Sequence, residues 1–222
     1  MSVDSVKYKA LVKELESNKI TLVAVSKTKT IEDIFELYKL GHRDFGENYV
    51  QELVEKAEKL PKDIRWHFIG HLQSNKVKYI ASFIYMIHGV DSLKLLKEIN
   101  KQAEKQSRMI NCLLQVHIAQ EETKFGFDDE ELFNLQISQY ANVKIKGLMG
   151  MASFTDDVNK VRNEFRNLKT IFNKFTTHDL PAGQAGSRLT TLSMGMSADY
   201  KIAIEEGSNM VRIGSLIFGE RI

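Results

Sequence analysis

Chemistry in this 222-residue sequence is most concentrated where short apolar runs end in polar residues. The run LVAVSKTK drives an apolar, β-branched stretch straight into Lys27. Partial removal from water at such a strand mouth disfavours the charged ammonium, and the neutral amine is a nucleophile toward aldehydes. Lys29 has the same side-chain parity, so alternation alone does not separate the two; Lys27 lies nearer the strand end and the packed interior. The competing reading is a solvated lysine that opens a loop.

Two segments near the end of the chain suggest a ligand for that amine. In SMGMSADY, Ser193, Gly195 and Ser197 precede a helix expected near Ala198, and RIGSLIFG places Gly214 and Ser215 directly after an apolar strand. Glycines admit close backbone approach, helix starts present N–H groups without intrahelical partners, and serines add hydroxyl donors, a combination suited to phosphate. Either loop alone reads more readily as turn glycines with capping serines. Together with Lys27 they point to a phosphorylated aldehyde.

Other candidates carry less. His67 and His71 in WHFIGHLQSNK stand four apart, which on a strand would permit a shared metal, but no cysteine pair or HExxH motif supplies further ligands. The better expectation is a buried, hydrogen-bonded His67, with His71, Gln73 and Asn75 at the strand mouth or capping the next helix. FGENY sets Glu47 and Asn48 at a strand end, as helix cap or pocket residues. Met149 and Met151 in GLMGMAS read as core filler. Glu121 and Glu122 read as a solvated loop.

The elements that must position these residues alternate between strand and amphipathic helix. Eight strands are expected at 21–26, 44–46, 66–70, 86–90, 111–118, 146–149, 191–193 and 209–213. Between them run helical patterns such as IEDIFELYKLG and SLKLLKEINKQAEKQ, each with an apolar stripe opposite charges. Strict β/α alternation implies parallel strands, and eight units close into a (β/α)8 TIM-type barrel whose functional groups collect at the C-terminal strand ends. An open doubly wound sheet is the rival, but no GxGxxG fingerprint follows the first strand. The chain reads as one barrel domain over 1–222, with an N-terminal helix at 4–18 covering the place of a missing full eighth helix. PAGQAGSR at 181–188 reads as an irregular inserted loop.

Composition narrows the class. Thirty-one Lys and Arg against 29 Asp and Glu, interleaved as in EKAEKL, describe solvated helix faces and no nucleic-acid stripe. Cys112 is the single cysteine and has no partner for an internal disulfide, so a reducing, cytoplasmic setting is expected. No segment is long and apolar enough to span a bilayer or act as a signal peptide. Without a heptad or apolar stripe to suggest association, the expectation is a monomer.

In their order, AVSKTK, GHRDFGENYVQE, WHFIGHLQSNK, KFGF, GLMGMA, LSMGMSADY and VRIGSLIFGER resemble the pyridoxal phosphate homeostasis proteins, whose fold is similar to the N-terminal barrel of alanine racemase. The resemblance implies pyridoxal 5′-phosphate (PLP) as cofactor, bound as a Schiff base on Lys27 with Asn48 flanking the ring. It implies that Ser193, Gly195, Met196, Ser197, Arg212, Gly214 and Ser215 form the phosphate and ring-nitrogen end. Arg212 facing the ring nitrogen would weaken the cofactor's electron sink, and a phosphate contact is the alternative. The 181–188 stretch departs from the family pattern and is expected to project outward.

The implied role is vitamin B6 homeostasis: binding PLP, buffering it and passing it to PLP-dependent apo-enzymes, without robust turnover. A racemase needs a second acid/base opposite the lysine, which alanine racemase takes from a further domain of its partner subunit, and no such domain is read here. The alternatives are a PLP-dependent racemase or aldolase, with a residue such as His71 as base, and a cofactor-free Schiff-base aldolase. Lys76 and Lys124 are further lysines that could hold PLP transiently.

Overall fold

The computed structural model describes residues 3–119, 125–177 and 189–219. The 181–188 stretch, Glu121, Glu122 and Lys124 lie outside them. Among the described residues, eight parallel strands close into a barrel in simple sequential order. They are β1 (Thr21–Val25), β2 (Asp44–Glu47), β3 (Arg65–Phe68), β4 (Met86–Val90), β5 (Ile110–Gln115), β6 (Val143–Met149), β7 (Thr191–Ser193) and β8 (Met210–Ile213). Closure comes from β1 against β8, in register from Thr21↔Met210 to Ala24↔Ile213. That pairing sets the end of β1 beside the end of β8.

Alternation along each strand divides the side chains between the barrel interior and the helical shell. Val23, Met86, Leu113, Met149 and Met210, from five different strands, form an inner apolar cluster. A larger cluster lies outward, where Leu22, Ala24, Phe45 and Ile213 meet the helices. The shell comprises α1 (Ser5–Ser17), α2 (Ile31–Lys39), α3 (Val50–Lys59), α4 (Leu93–Lys105), α5 (Asp129–Phe133), α6 (Val158–Thr177), α7 (Tyr200–Glu205) and α8 (Ser215–Phe218), with a 3-10 turn at Ser74–Tyr79 between β3 and β4. Local chemistry explains the starts: Thr30 and Asp33 form a reciprocal capping box on α2, and Ser92 caps α4. In α4 the buried Leu95, Leu96, Ile99 and Ala103 recur at helical spacing.

Three strand boundaries differ from the sequence reading by more than one residue. β3 ends at Phe68, because the chain then bends so closely past β2 that a Cβ on Gly70 would meet the Asn48 carbonyl at 2.5 Å. β5 ends at Gln115, and Val116 makes only an isolated bridge to Phe127. β6 begins at Val143, earlier than expected, since Lys144 and Lys146 interrupt the apolar run while the ladder with β5 continues through them. At the far end of the chain α8 is one short turn. Helix α1 packs against it and against β1, and Tyr8 Oη lies 3.2 Å from His42 Nδ1 below β2. No described helix is long and apolar enough to cross a membrane.

Candidate functional site

The C-terminal strand ends enclose a cleft of about 810 Å3. Lys27 and Asn48 line it from beyond β1 and β2, Met196 and Ser197 from beyond β7, and Arg212, Gly214 and Ser215 from β8 and its turn. Seven of the nine residues singled out in the sequence therefore meet in one cavity. The other two, Ser193 and Gly195, sit behind Arg212: Ser193 Oγ accepts from its Nη1 at 2.7 Å, and the Gly195 carbonyl accepts from its backbone N–H at 3.0 Å.

The loop that carries Lys27 is held from both sides by a buried ion cluster. Lys56, on α3, donates to the Ser26 carbonyl at 2.7 Å, to Glu47 Oε1 at 2.8 Å and to Glu52 Oε1 at 2.6 Å. Ser26 Oγ donates to Glu47, and the Thr28 N–H donates to Glu52, each at 2.6 Å. The residues on either side of Lys27 are thus fixed by the same charges. Thr28 adopts φ +65°, a left-handed conformation that a β-branched residue resists, so the cluster holds a strained turn at the strand mouth. Burial pushes the Glu47 carboxyl up, and Lys56 partly offsets it. The reading of EKAEKL as a solvated face holds for Glu55, Glu58 and Lys59 but is corrected at Lys56, which is buried.

Arg212 forms the floor. Its side chain is buried, and besides Ser193 it donates from Nη2 to the Gly150 carbonyl at 3.1 Å. Burial lowers the guanidinium to about 10, which leaves it a cation at neutral pH. Above it, the Gly214 N–H donates to Ser197 Oγ at 3.3 Å, joining the two turns expected to bind an anion. A Cβ on Gly214 would lie 3.2 Å from the Val25 carbonyl, so this turn sits close against the end of β1. The Met196 N–H is taken by Asp199 Oδ1 at 2.5 Å. Lys29, the other candidate amine, reaches the Phe218 carbonyl at 3.0 Å and ties the β1 loop to the end of α8.

Asn48 does not cap α3, whose N-cap Tyr49 makes no side-chain cap bond. Its Oδ1 is shut off from solvent and has no hydrogen-bond partner among the described residues. An unfilled polar atom in a cavity wall is a demand for a ligand group.

His67 is fully buried in the barrel, whereas His71 bonds Asp91 at 2.8 Å, stacks on Phe125 and does not line the cleft. Among the described residues no group of three His, Cys, Asp or Glu could hold a metal. Lys76 lies in the 3-10 turn beyond β3, near Tyr79, away from the lining. Met149 is inner-core filler, but Met151 lines the cleft with Ala152 and Ser153. These three were legible by the same rule that found Lys27, because GLMGMAS also runs off the C-terminal end of a strand.

Residues 6–222 match the family model described as alanine racemase, N-terminal domain, which defines the class of barrel. The pyridoxal phosphate homeostasis protein of Aquifex aeolicus is 42% identical over 204 residues, covering 90% of this chain and 86% of that protein. PipY of Synechococcus elongatus, solved with PLP bound, superposes with a TM-score of 0.82 at 34% identity, covering 94% of this chain and 98% of that one. Alanine racemase of Clostridium difficile shares the fold, with a TM-score of 0.77 at 14% identity over 99% of this chain and 58% of that one. The chain belongs to the pyridoxal phosphate homeostasis protein family.

Proposed function

We propose that this protein binds PLP in the cleft, holds it as a Schiff base on Lys27, and acts as an intracellular carrier and buffer that releases the cofactor to apo-enzymes. The observation that carries the reading is the meeting, across the β1–β8 closure, of Lys27 with Arg212 and the Gly214–Ser215 turn in one cavity. An amine, an anchored cation and a glycine–serine turn match an aldehyde, a ring and a phosphate in one ligand. When bound, PLP supplies the aldehyde and an electron-withdrawing ring.

The protein's own residues divide the work. Lys27 is the attachment point, and Ser197, Gly214 and Ser215 take the phosphate. Arg212 is assigned to the ring nitrogen, because its guanidinium is anchored from within the barrel by Ser193 and Gly150 and not from the α8 turn. A guanidinium there does not give up a proton to the ring, which favours storage over carbanion chemistry.

The test is uptake of PLP followed by visible spectroscopy, borohydride trapping and mass spectrometry of the modified lysine. Label on Lys27 is expected, and in Lys27→Ala covalent attachment is lost while weaker, phosphate-anchored binding persists. Undiminished attachment in that variant moves the site to another lysine. Steady turnover of any D- or L-amino acid by the loaded wild-type protein defeats the carrier reading in favour of a racemase or aldolase.

A further inference from the structure

The barrel interior contains polar residues that the PLP site does not use directly. His67 and His88 are both fully buried. His67 Nε2 lies 3.0 Å from Asp44 Oδ1, His67 Nδ1 lies 2.9 Å from His88 Nε2, and His88 Nδ1 lies 3.4 Å from Ser193 Oγ. Ser193 Oγ in turn meets Arg212 Nη1 at 2.7 Å. The links between Asp44, His67 and His88 pass along neighbouring strands, and so does that from Ser193 to Arg212. β4 and β7 are not neighbours, so the His88–Ser193 contact crosses the lumen. At its outer end Asp44 is gripped by Arg65 through two hydrogen bonds of 2.7 and 2.5 Å.

Only one arrangement of protons satisfies every buried group in this chain. Arg212 can only donate, so Ser193 Oγ accepts from it, and the serine proton must go to His88 Nδ1. His88 Nε2–H then donates to His67 Nδ1, and His67 Nε2–H donates to Asp44. The carboxylate is acceptor-only when ionised, and although burial would raise it, the bonds from Arg65 and His67 hold it below the usual range. Burial, with His67 and Arg212 nearby, pushes the His88 imidazole well below its ordinary value, in keeping with a neutral ring.

We propose that Asp44, His67, His88 and Ser193 form a one-directional hydrogen-bond chain through the barrel whose purpose is to fix the Arg212 guanidinium in the cleft floor, making His88 and His67 positioning residues for the ligand contact. The proposal rests on the PLP reading for what Arg212 touches, but not for the chain itself. A donor-only residue at one end and an acceptor-only residue at the other leave the guanidinium no reversed arrangement.

Two measurements test it. In ligand-free protein carrying 15N-histidine, long-range 1H–15N correlation, assigned with His67→Gln and His88→Gln, should show both rings neutral and protonated at Nε2. A ring protonated at Nδ1, whether as the other tautomer or as a cation, overturns the chain. The second measurement is a double-mutant cycle on PLP dissociation constants with His88→Phe and Arg212→Met. Each single variant should weaken PLP by about tenfold or more, the expected effect of a misplaced charge-assisted hydrogen bond. The double variant should be no weaker than Arg212→Met alone, and losses that simply add overturn the positioning role. Ser193→Ala replaces His88→Phe in the cycle if the latter does not fold. A wild-type protein that takes up no PLP defeats the function proposed above, while the histidine spectrum still decides the chain.

Discussion

Lys56→Met removes the ammonium that holds together the charges behind Lys27. Lys56 is 4% exposed and Glu47 wholly buried, so the loss strands a carboxylate away from water with only the Ser26 hydroxyl for company. Breaking a buried pair by deleting one partner costs about 3–5 kcal/mol. For a chain of this size that is a fall in melting temperature of roughly 6–20 °C. The sign with pH is set by Glu47, whose folded carboxyl is raised above the ordinary value of 4.5 by burial and pulled back by Lys56. A raised acid contributes no penalty below its unfolded value, and the penalty grows as pH rises to the folded value. Without Lys56 the folded value climbs further, so the deficit against wild type should be largest at neutral pH and shrink as pH falls toward 5. Adding Glu47→Gln should restore most of the stability, because the wholly buried carboxylate is then neutral and the one that still lacks its cation, Glu52, is partly exposed and keeps the Thr28 N–H. The same substitution releases the Ser26 carbonyl, so borohydride-trapped PLP on Lys27 should fall as well. Thermal and urea melts across pH provide the assay. A Lys56→Met deficit under about 1 kcal/mol, or one that Glu47→Gln leaves untouched, refutes the clamp.

Three further outcomes are expected. Gly195→Ala should lower stability by about 2–4 kcal/mol, since the new Cβ would sit 2.6 Å from Ala203 Cβ at φ +96°; an unchanged urea midpoint would contradict the packing described. His42, pulled down to about 4 by burial against an ordinary value of 6.5, gives stability that is whole above pH 6.5 and lost as pH falls toward 4. That loss is about 3 kcal/mol and should be absent in His42→Asn, as read from urea melts at stepped pH. Cys112 is fully buried and its thiol is pushed up by burial, so a thiol reagent should label it only after denaturation; rapid labelling of folded protein would argue against its place in β5.

Strand order, the closed barrel and the strand-end character of Lys27, Asn48, Ser197, Gly214 and Ser215 were all legible in the sequence. Each rests on short-range pattern: apolar alternation, helical periodicity, and glycine or serine where a strand stops. The resemblance then made the cofactor specific. Less was legible where charge and burial had to be read together. Lys56 sits among EKAEK with the spacing of a solvated face, and only the packing of α3 over the β1 loop turns it inward. Asp44 and His88 carry no local mark at all, since an acid at a strand start and a histidine in MIHGV are ordinary until their neighbours are known.

What the sequence determined by itself is therefore the set of strands, their common direction and the residue that each brings to the mouth. Tertiary structure alone decided which mouth residues share a cavity, because β1 and β8 meet only on closure. It also decided that Ser193 supports Arg212 from behind, and that an acid at the start of β2 is joined to the cleft floor through two histidines. The physical reason is that hydrogen bonding and desolvation act over a few ångströms in space. In a closed barrel the groups within that distance come from strands far apart along the chain.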